Sequence, residues 1–97
     1  MIRSFKNPGT ESIFDGADTP AARRLCLRSL WPIARRKLDQ INRVREVGEL
    51  AVPSGNHLER LRGDRRGQYS IRINQQYRIC FCWEGEHATE LEITDYH

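Results

Sequence analysis

Between Asn56 and Phe81 the chain reads NHLERLRGDRRGQYSIRINQQYRICF, which sets Arg60, Arg62, Arg65, Arg66, Arg72 and Arg78 against one glutamate, Glu59, and one aspartate, Asp64. The sequence then ends on Asp95, Tyr96 and His97. A planar guanidinium matches a phosphate as a bidentate fork, so an arginine block of this kind suits nucleic acid. Metal-free RNA cleavage needs a group that takes the proton from a 2′-hydroxyl, cations that hold the charge growing on phosphorus, and an acid for the leaving 5′-oxygen. Candidates for all three are present. His97 is a proton carrier near neutral pH, Asp95 can orient it or act as base, and Arg62, Arg72 and Arg78 can stabilise the phosphorane-like charge. Tyr96 can stack on a base or donate its hydroxyl. The plainer reading is that terminal residues fray, that a histidine at a chain end is solvated and that a tyrosine beside a strand is packing.

His57 precedes the segment carrying Arg60 and Arg62 and so can share their surface, although a histidine at a loop–strand boundary is commonly a hydrogen-bonded structural residue. Glu59 and Arg62 are three apart, which puts them on opposite faces of a regular strand. Gly63-Asp64 and Gly67 shape a turn rather than a phosphate-cradling loop, since no helix follows.

The charge is polarised: fourteen arginines outnumber two lysines, and from Glu84 to His97 there are five acids and no lysine or arginine. The alternative to a nucleic-acid surface is a solvated basic face in an arginine-rich chain. At 97 residues, 38% apolar and 30% charged, the chain fits one domain with a modest core. No apolar run approaches the roughly 20 residues of a membrane span and the N-terminus shows no secretory signal, so a cytoplasmic, non-membrane protein is expected. Cys26, Cys80 and Cys82 are odd in number; Cys80 and Cys82 suit two buried thiols in a strand better than a disulfide, and with scattered histidines they form no zinc pattern.

The elements that must position these residues follow from periodicity. Met1 to Phe5 reads as a short strand and Asn7-Pro8-Gly9 as a turn. Thr10 can cap a helix that ends at Asp15-Gly16, and Pro20 opens a second helical segment running to about Leu27. Ser29 can cap a third, in which Ile33, Ala34, Leu38 and Ile41 recur at helical spacing. After a loop at Val52 to Gly55, strands are expected at His57 to Leu61, Tyr69 to Ile73, Tyr77 to Trp83 and Ala88 to Thr94, the last with Leu91 and Ile93 inward. A three-residue loop at Asn74 to Gln76 keeps the apolar sets of the central pair on one face. Residue 73 then faces 77 and Arg72 faces Arg78. Like charges across a ladder are destabilising, so either an anion lies between these arginines or they splay out to Glu90 or Glu92.

The runs LDQI from Leu38, VPSGN from Val52, LERLRGD from Leu58, QYSIRIN from Gln68 and QYRICF from Gln76, with the closing Asp95-Tyr96-His97, resemble the HigB branch of the RelE/ParE toxin superfamily over nearly the whole chain. The resemblance implies an α+β, RelE-like (microbial-ribonuclease-like) fold with N-terminal helices packed on an antiparallel β-sheet. It further implies a toxin of a type II toxin–antitoxin pair that cuts mRNA in the ribosomal A site by metal-independent 2′-hydroxyl attack, without a cofactor. The implied partners are the ribosome, mRNA and a HigA-like helix-turn-helix antitoxin, with operator DNA reached only through that antitoxin. Carried over by motif, Arg62 (lysine in many members), Arg78, Asp95, Tyr96 and His97 are the catalytic set. His57, Arg60, Arg65, Arg66 and Arg72 are the expected RNA-binding residues. Two positions depart from the pattern: His57 replaces an arginine, and Glu59 stands where some members have a catalytic histidine. They leave open a toxin-fold protein that binds RNA or an antitoxin without cleaving, and a stand-alone RNA-binding domain.

Overall fold

In the computed structural model, which describes residues 1–95, a first helix α1 spans Pro8–Asp15. The residues expected to turn here begin the helix: Asn7 is the N-cap, its side chain accepting from the Thr10 amide at 2.9 Å, and Pro8 fills the first helical position. Thr10 is therefore not the cap. It is fully buried inside the first turn, donating its hydroxyl to Asn7 Oδ1 at 2.7 Å and accepting from the Ile93 amide at 3.0 Å, which ties the helix to the sheet. Thr10→Val is expected to lower stability by about 1–3 kcal/mol, because the Ile93 amide would stay buried without its acceptor; urea melts of the two proteins would measure it. Gly16 ends α1 in the left-handed region at φ 76°, as the sequence leads one to expect.

Helix α2, Pro20–Leu25, is capped by Thr19 and stops two residues short of the expected Leu27. It lies so close to α1 that a Cβ on Gly9 would sit 2.7 Å from the Ala21 carbonyl oxygen. The obstacle is backbone and cannot swing aside, so Gly9→Ala is expected to destabilise by about 1–3 kcal/mol, read as a drop in thermal midpoint. Ser29 is not a cap; it falls within a 3-10 turn at Arg28–Leu30, and Leu30 precedes helix α3, Trp31–Arg43. Trp31, Ala34, Leu38 and Ile41 form the buried stripe of α3, with Ile33 half-buried at its margin.

Four strands form one antiparallel sheet in chain order: β1 Glu59–Arg60, β2 Gln68–Arg72, β3 Tyr77–Glu84 and β4 His87–Asp95. Strand β1 is far shorter than the expected His57 to Leu61, because His57 sits at φ 46° and a 3-10 turn begins at Gly63. The central register is the expected one, Ile71 opposite Ile79 and Arg72 opposite Arg78, and the Ile73 amide reaches the Tyr77 carbonyl at 2.9 Å. Asn74 closes the turn by accepting from the Gln76 and Tyr77 amides at 2.9 and 2.7 Å.

Between β3 and β4 the register shifts by one residue, from Cys80 opposite Glu92 to Cys82 opposite Thr89, and Glu90 takes φ 55°. This bulge turns Ala88 and Leu91 to the same side although they are three apart. The N-terminal residues are not a full strand. Ile2 and Phe5 form single parallel bridges to Ala88 and Leu91, along the outer edge of β4.

The main core lies between the helices and one sheet face, where Ile13, Ala34, Leu38 and Ile41 meet Ile71, Ile79, Phe81, Leu91 and Ile93. Each large side chain buried there contributes about 1.5–3 kcal/mol. The segment between α3 and β2 folds over the opposite face and buries Ser70, Arg78 and Cys80. Cys80 is buried as expected, whereas Cys82 is half-buried at the margin. No helix among the described residues is long and apolar enough to cross a membrane.

Candidate functional site

The turn joining β1 to β2 needs two backbone positions in the left-handed region, and Gly63 (φ 64°) and Gly67 (φ 89°) supply them. The turn walls an open cleft of about 740 Å³ lined by Arg60, Leu61, Arg62, Gly63, Arg66 and Gly67. Its three arginines are exposed and make no ion pair among the described residues. The Arg60 guanidinium lies over the Tyr69 ring at 6.0 Å, directly across the ladder, which holds it against the sheet. An acid-free pocket of cations attracts a polyanion, and arginines exposed in this way can grip phosphates without distinguishing bases.

Arg65 turns the other way. Its Nη1 donates to Gln68 Oε1 and Glu92 Oε1, both at 3.1 Å, and Glu92 also faces Lys6 at 3.8 Å. The carboxylate considered as an outlet for Arg72 and Arg78 is thus taken by two other cations.

Arg78 is buried, only 5% exposed, and its guanidinium is fixed from several directions. Nε donates to Ser70 Oγ at 2.8 Å, and Nη2 donates to the His57 carbonyl at 2.6 Å and to the Ser70 carbonyl at 3.4 Å. Glu59 Oε1 stands 3.9 Å from the same Nη2, on a half-exposed side chain. A buried arginine is tolerable only with its N–H groups satisfied, and a small serine diagonal to it on β2 leaves the room. The left-handed turn at His57 aims a carbonyl, rather than the imidazole, at Arg78; the His57 side chain itself is exposed. Arg72, opposite Arg78, is half-buried and makes no hydrogen bond or ion pair among the described residues.

Asp95 ends β4 opposite Tyr77 and accepts from Gln76 Nε2 at 3.0 Å, while Thr94 is the residue opposite Arg78. Adjacent strand residues point to opposite faces, so Asp95 and Arg78 leave the ladder on different sides. Tyr96 and His97, the other members of the closing triplet, lie outside the described residues. The fold therefore gathers Arg78, Glu59 and the His57 carbonyl beside the strand that leads into the arginine cleft, with Arg62 in that cleft, and sets Asp95 at the turn between β2 and β3.

Three groups escaped the sequence reading. Ser70 was visible only as an alternating polar residue, although the even-sum register already put it two residues diagonal to Arg78. Lys37 and Asn56 carried no local signal. The Lys37 ammonium donates to Asn56 Oδ1 at 2.6 Å; burial first, and then the charge of Arg36, holds it below the ordinary lysine range. Burial also pushes the Cys80 thiol up, which keeps it protonated and unreactive.

A family model described as the RelE-like toxin of the type II toxin–antitoxin system HigB matches residues 3–97. Toxin HigB-1 of Vibrio cholerae serotype O1 is 32% identical over 83 residues, 86% of this chain and 84% of that one. Endoribonuclease HigB of Proteus vulgaris is 31% identical over 97 residues, the full length of both. The solved YoeB-YefM complex from Staphylococcus aureus contains a chain that superposes with a TM-score of 0.58 at 17% identity, covering 100% of this chain and 98% of that one, a likeness of fold.

Proposed function

Since the chain belongs to the HigB family of RelE-like toxins of type II toxin–antitoxin systems, we propose that it is an endoribonuclease that cuts mRNA in the ribosomal A site and so inhibits translation. The observation that carries this reading is the acid-free arginine cleft leading to an immobilised Arg78 with the Glu59 carboxylate 3.9 Å away. The end-to-end likeness to an endoribonuclease supports it.

In this reading the 2′-oxygen of one nucleotide attacks the adjacent phosphorus, forming a 2′,3′-cyclic phosphate and breaking the bond to the 5′-oxygen of the next nucleotide. Arg62 and Arg78 neutralise the charge that builds on the phosphoryl oxygens, the part a metal plays elsewhere. Glu59 takes the 2′-hydroxyl proton, and His97, with Tyr96 and Asp95, serves the leaving 5′-oxygen. Glu59 is preferred to Asp95 as base because it lies on the Arg78 side of the sheet. Glu59→Gln is then expected to slow cleavage about 10²–10⁴-fold and to remove the rise in rate with pH on the acidic limb, where a carboxylate base loses its proton. An unchanged pH–rate profile would return the base to Asp95 or His97.

Arginines that grip only backbone leave selection of the cut to whatever presents the message, which supports dependence on the ribosome. The same surface is the one an antitoxin of the HigA-like helix-turn-helix type would block. Primer extension on mRNA from a translation reaction, with and without ribosomes, tests the proposal. New 5′ ends at codon-spaced positions only with ribosomes are expected. Absence of new ends in both reactions, with folded protein, would instead indicate a toxin-fold protein that binds without cutting.

A further inference from the structure

A second group of cations lies outside the cleavage site. Arg36, Lys37 and Arg43 on α3, with Gln40, Pro53 and Asn56, line a cleft of about 350 Å³ between that helix and the loop that follows it. Arg36 and Arg43 are two helical turns apart on one face, about 10.5 Å along the axis. They also line a neighbouring depression of about 280 Å³ with Asp39 and Asn42. None of the three cations forms an ion pair among the described residues.

The contrast with the rest of the molecule is informative. Elsewhere, cations that meet are answered by a carboxylate: Asp18 for Arg23 and Arg28, Glu92 for Lys6 and Arg65. Here the only charge-dispersing contact is a neutral amide, and that amide is built in. Asn56 is 1% exposed; its Nδ2 donates to Gln40 Oε1 at 3.0 Å, the Leu50 carbonyl at 3.1 Å and the Val52 carbonyl at 3.4 Å. With its nitrogen so held, Oδ1 is fixed toward Lys37 and anchors the ammonium at the cleft wall. Burial and the neighbouring Arg36 both disfavour that charge, and a bound anion would relieve the repulsion. Asn56 is followed by His57, whose carbonyl holds Arg78, so consecutive residues position one cation toward each cleft.

We propose that the cleft formed by Arg36, Lys37 and Arg43 against Pro53 and Asn56 is a second phosphate-binding site, which grips the backbone of an RNA too long to be held by the β1–β2 cleft alone. The proposal rests on the reading of this protein as an RNA-binding toxin and names where a longer RNA is held.

The test is fluorescence anisotropy with two labelled RNAs, a single-stranded hexamer and a long hairpin, across a salt series. It compares the wild type, Arg36→Gln/Arg43→Gln, and Arg3→Gln/Arg24→Gln as a control that removes the same charge from exposed, unpaired positions. The Arg36/Arg43 variant should bind the hairpin at least tenfold more weakly, with its log–log salt slope reduced by about two, the count of phosphates released. Its hexamer binding should match the control. Hairpin binding equal to the control would overturn the site and leave a solvated basic face. An equal loss on both RNAs would overturn its separateness from the first cleft. Cleavage in a translation reaction is scored in parallel: RNA left intact by a wild type that still shows the hairpin-specific difference overturns the nuclease reading and not this site, whereas cleavage with no such difference does the reverse.

Discussion

Arg78→Lys is expected to fold and yet to cleave RNA about 10²–10³-fold more slowly than the wild type, the loss that follows removal of one pre-positioned donor to a developing oxyanion. The charge is conserved in this variant; the geometry is not. Arg78 donates from Nε to Ser70 Oγ and from Nη2 to the His57 carbonyl, two directions that a planar fork serves at once and a single ammonium cannot. Lysine at this position would take one of those acceptors and turn away from phosphate, or the reverse. Arg78→Ala is the less informative change. It strands Ser70, the His57 carbonyl and Glu59 around an empty space, and removing one partner of a buried pair costs about 3–5 kcal/mol, which confuses unfolding with lost chemistry. Single-turnover cleavage beside a thermal melt separates the two. A folded Arg78→Lys protein that cuts at the wild-type rate would remove Arg78 from the proposed mechanism.

The second large effect is on stability. Asn56→Ala should lower the free energy of unfolding by about 2–4 kcal/mol, a shift in melting temperature on the order of 10–25 °C for a domain of this size. The side chain is buried and makes four hydrogen bonds, three as donor and one as acceptor from Lys37. The Leu50 carbonyl would remain buried without that donor, and the loop from Val52 to His57 would lose the group that seats it on α3. Asn56→Asp is a sharper control: it still accepts from Lys37 but cannot donate to the carbonyls and would face them with negative charge. It should therefore be no more stable than the alanine variant. Urea titration gives the answer, with a lowered midpoint at unchanged slope expected. A loss below about 1 kcal/mol in both variants would mean that water replaces the network without cost.

Much of this was legible in the order of residues. Period-two alternation in Tyr69 to Ile73 and Tyr77 to Trp83, with a three-residue turn, already implied that Arg72 faces Arg78, because a one-residue slip would have turned every isoleucine to solvent. Helical spacing identified Ala34, Leu38 and Ile41 as the inner stripe of α3. The errors came where two local signals competed or where none existed. Asn7 and Thr10 are both capping residues, and Pro8 decided for Asn7 since proline belongs at the first helical position; Thr10 was then available to the Ile93 amide, 83 residues away. The bulge at Glu90 was invisible because alternation carries no mark of an inserted residue, and the fold shows it only by turning Ala88 and Leu91 to one side.

The sequence by itself determined which residues are helical, which are extended, which face is apolar and that a block of arginines lies on one hairpin, since these depend on periods of 3.6 and 2.0 read over a few neighbours. Tertiary structure alone decided what each charge meets. Arg78 turns inward to a carbonyl 21 residues back, Lys37 to an amide 19 residues ahead, and Arg65 rather than Arg78 takes Glu92. A long charged side chain has several partners within reach of its rotamers. Which one it finds is fixed by how distant segments pack, and no local period records that.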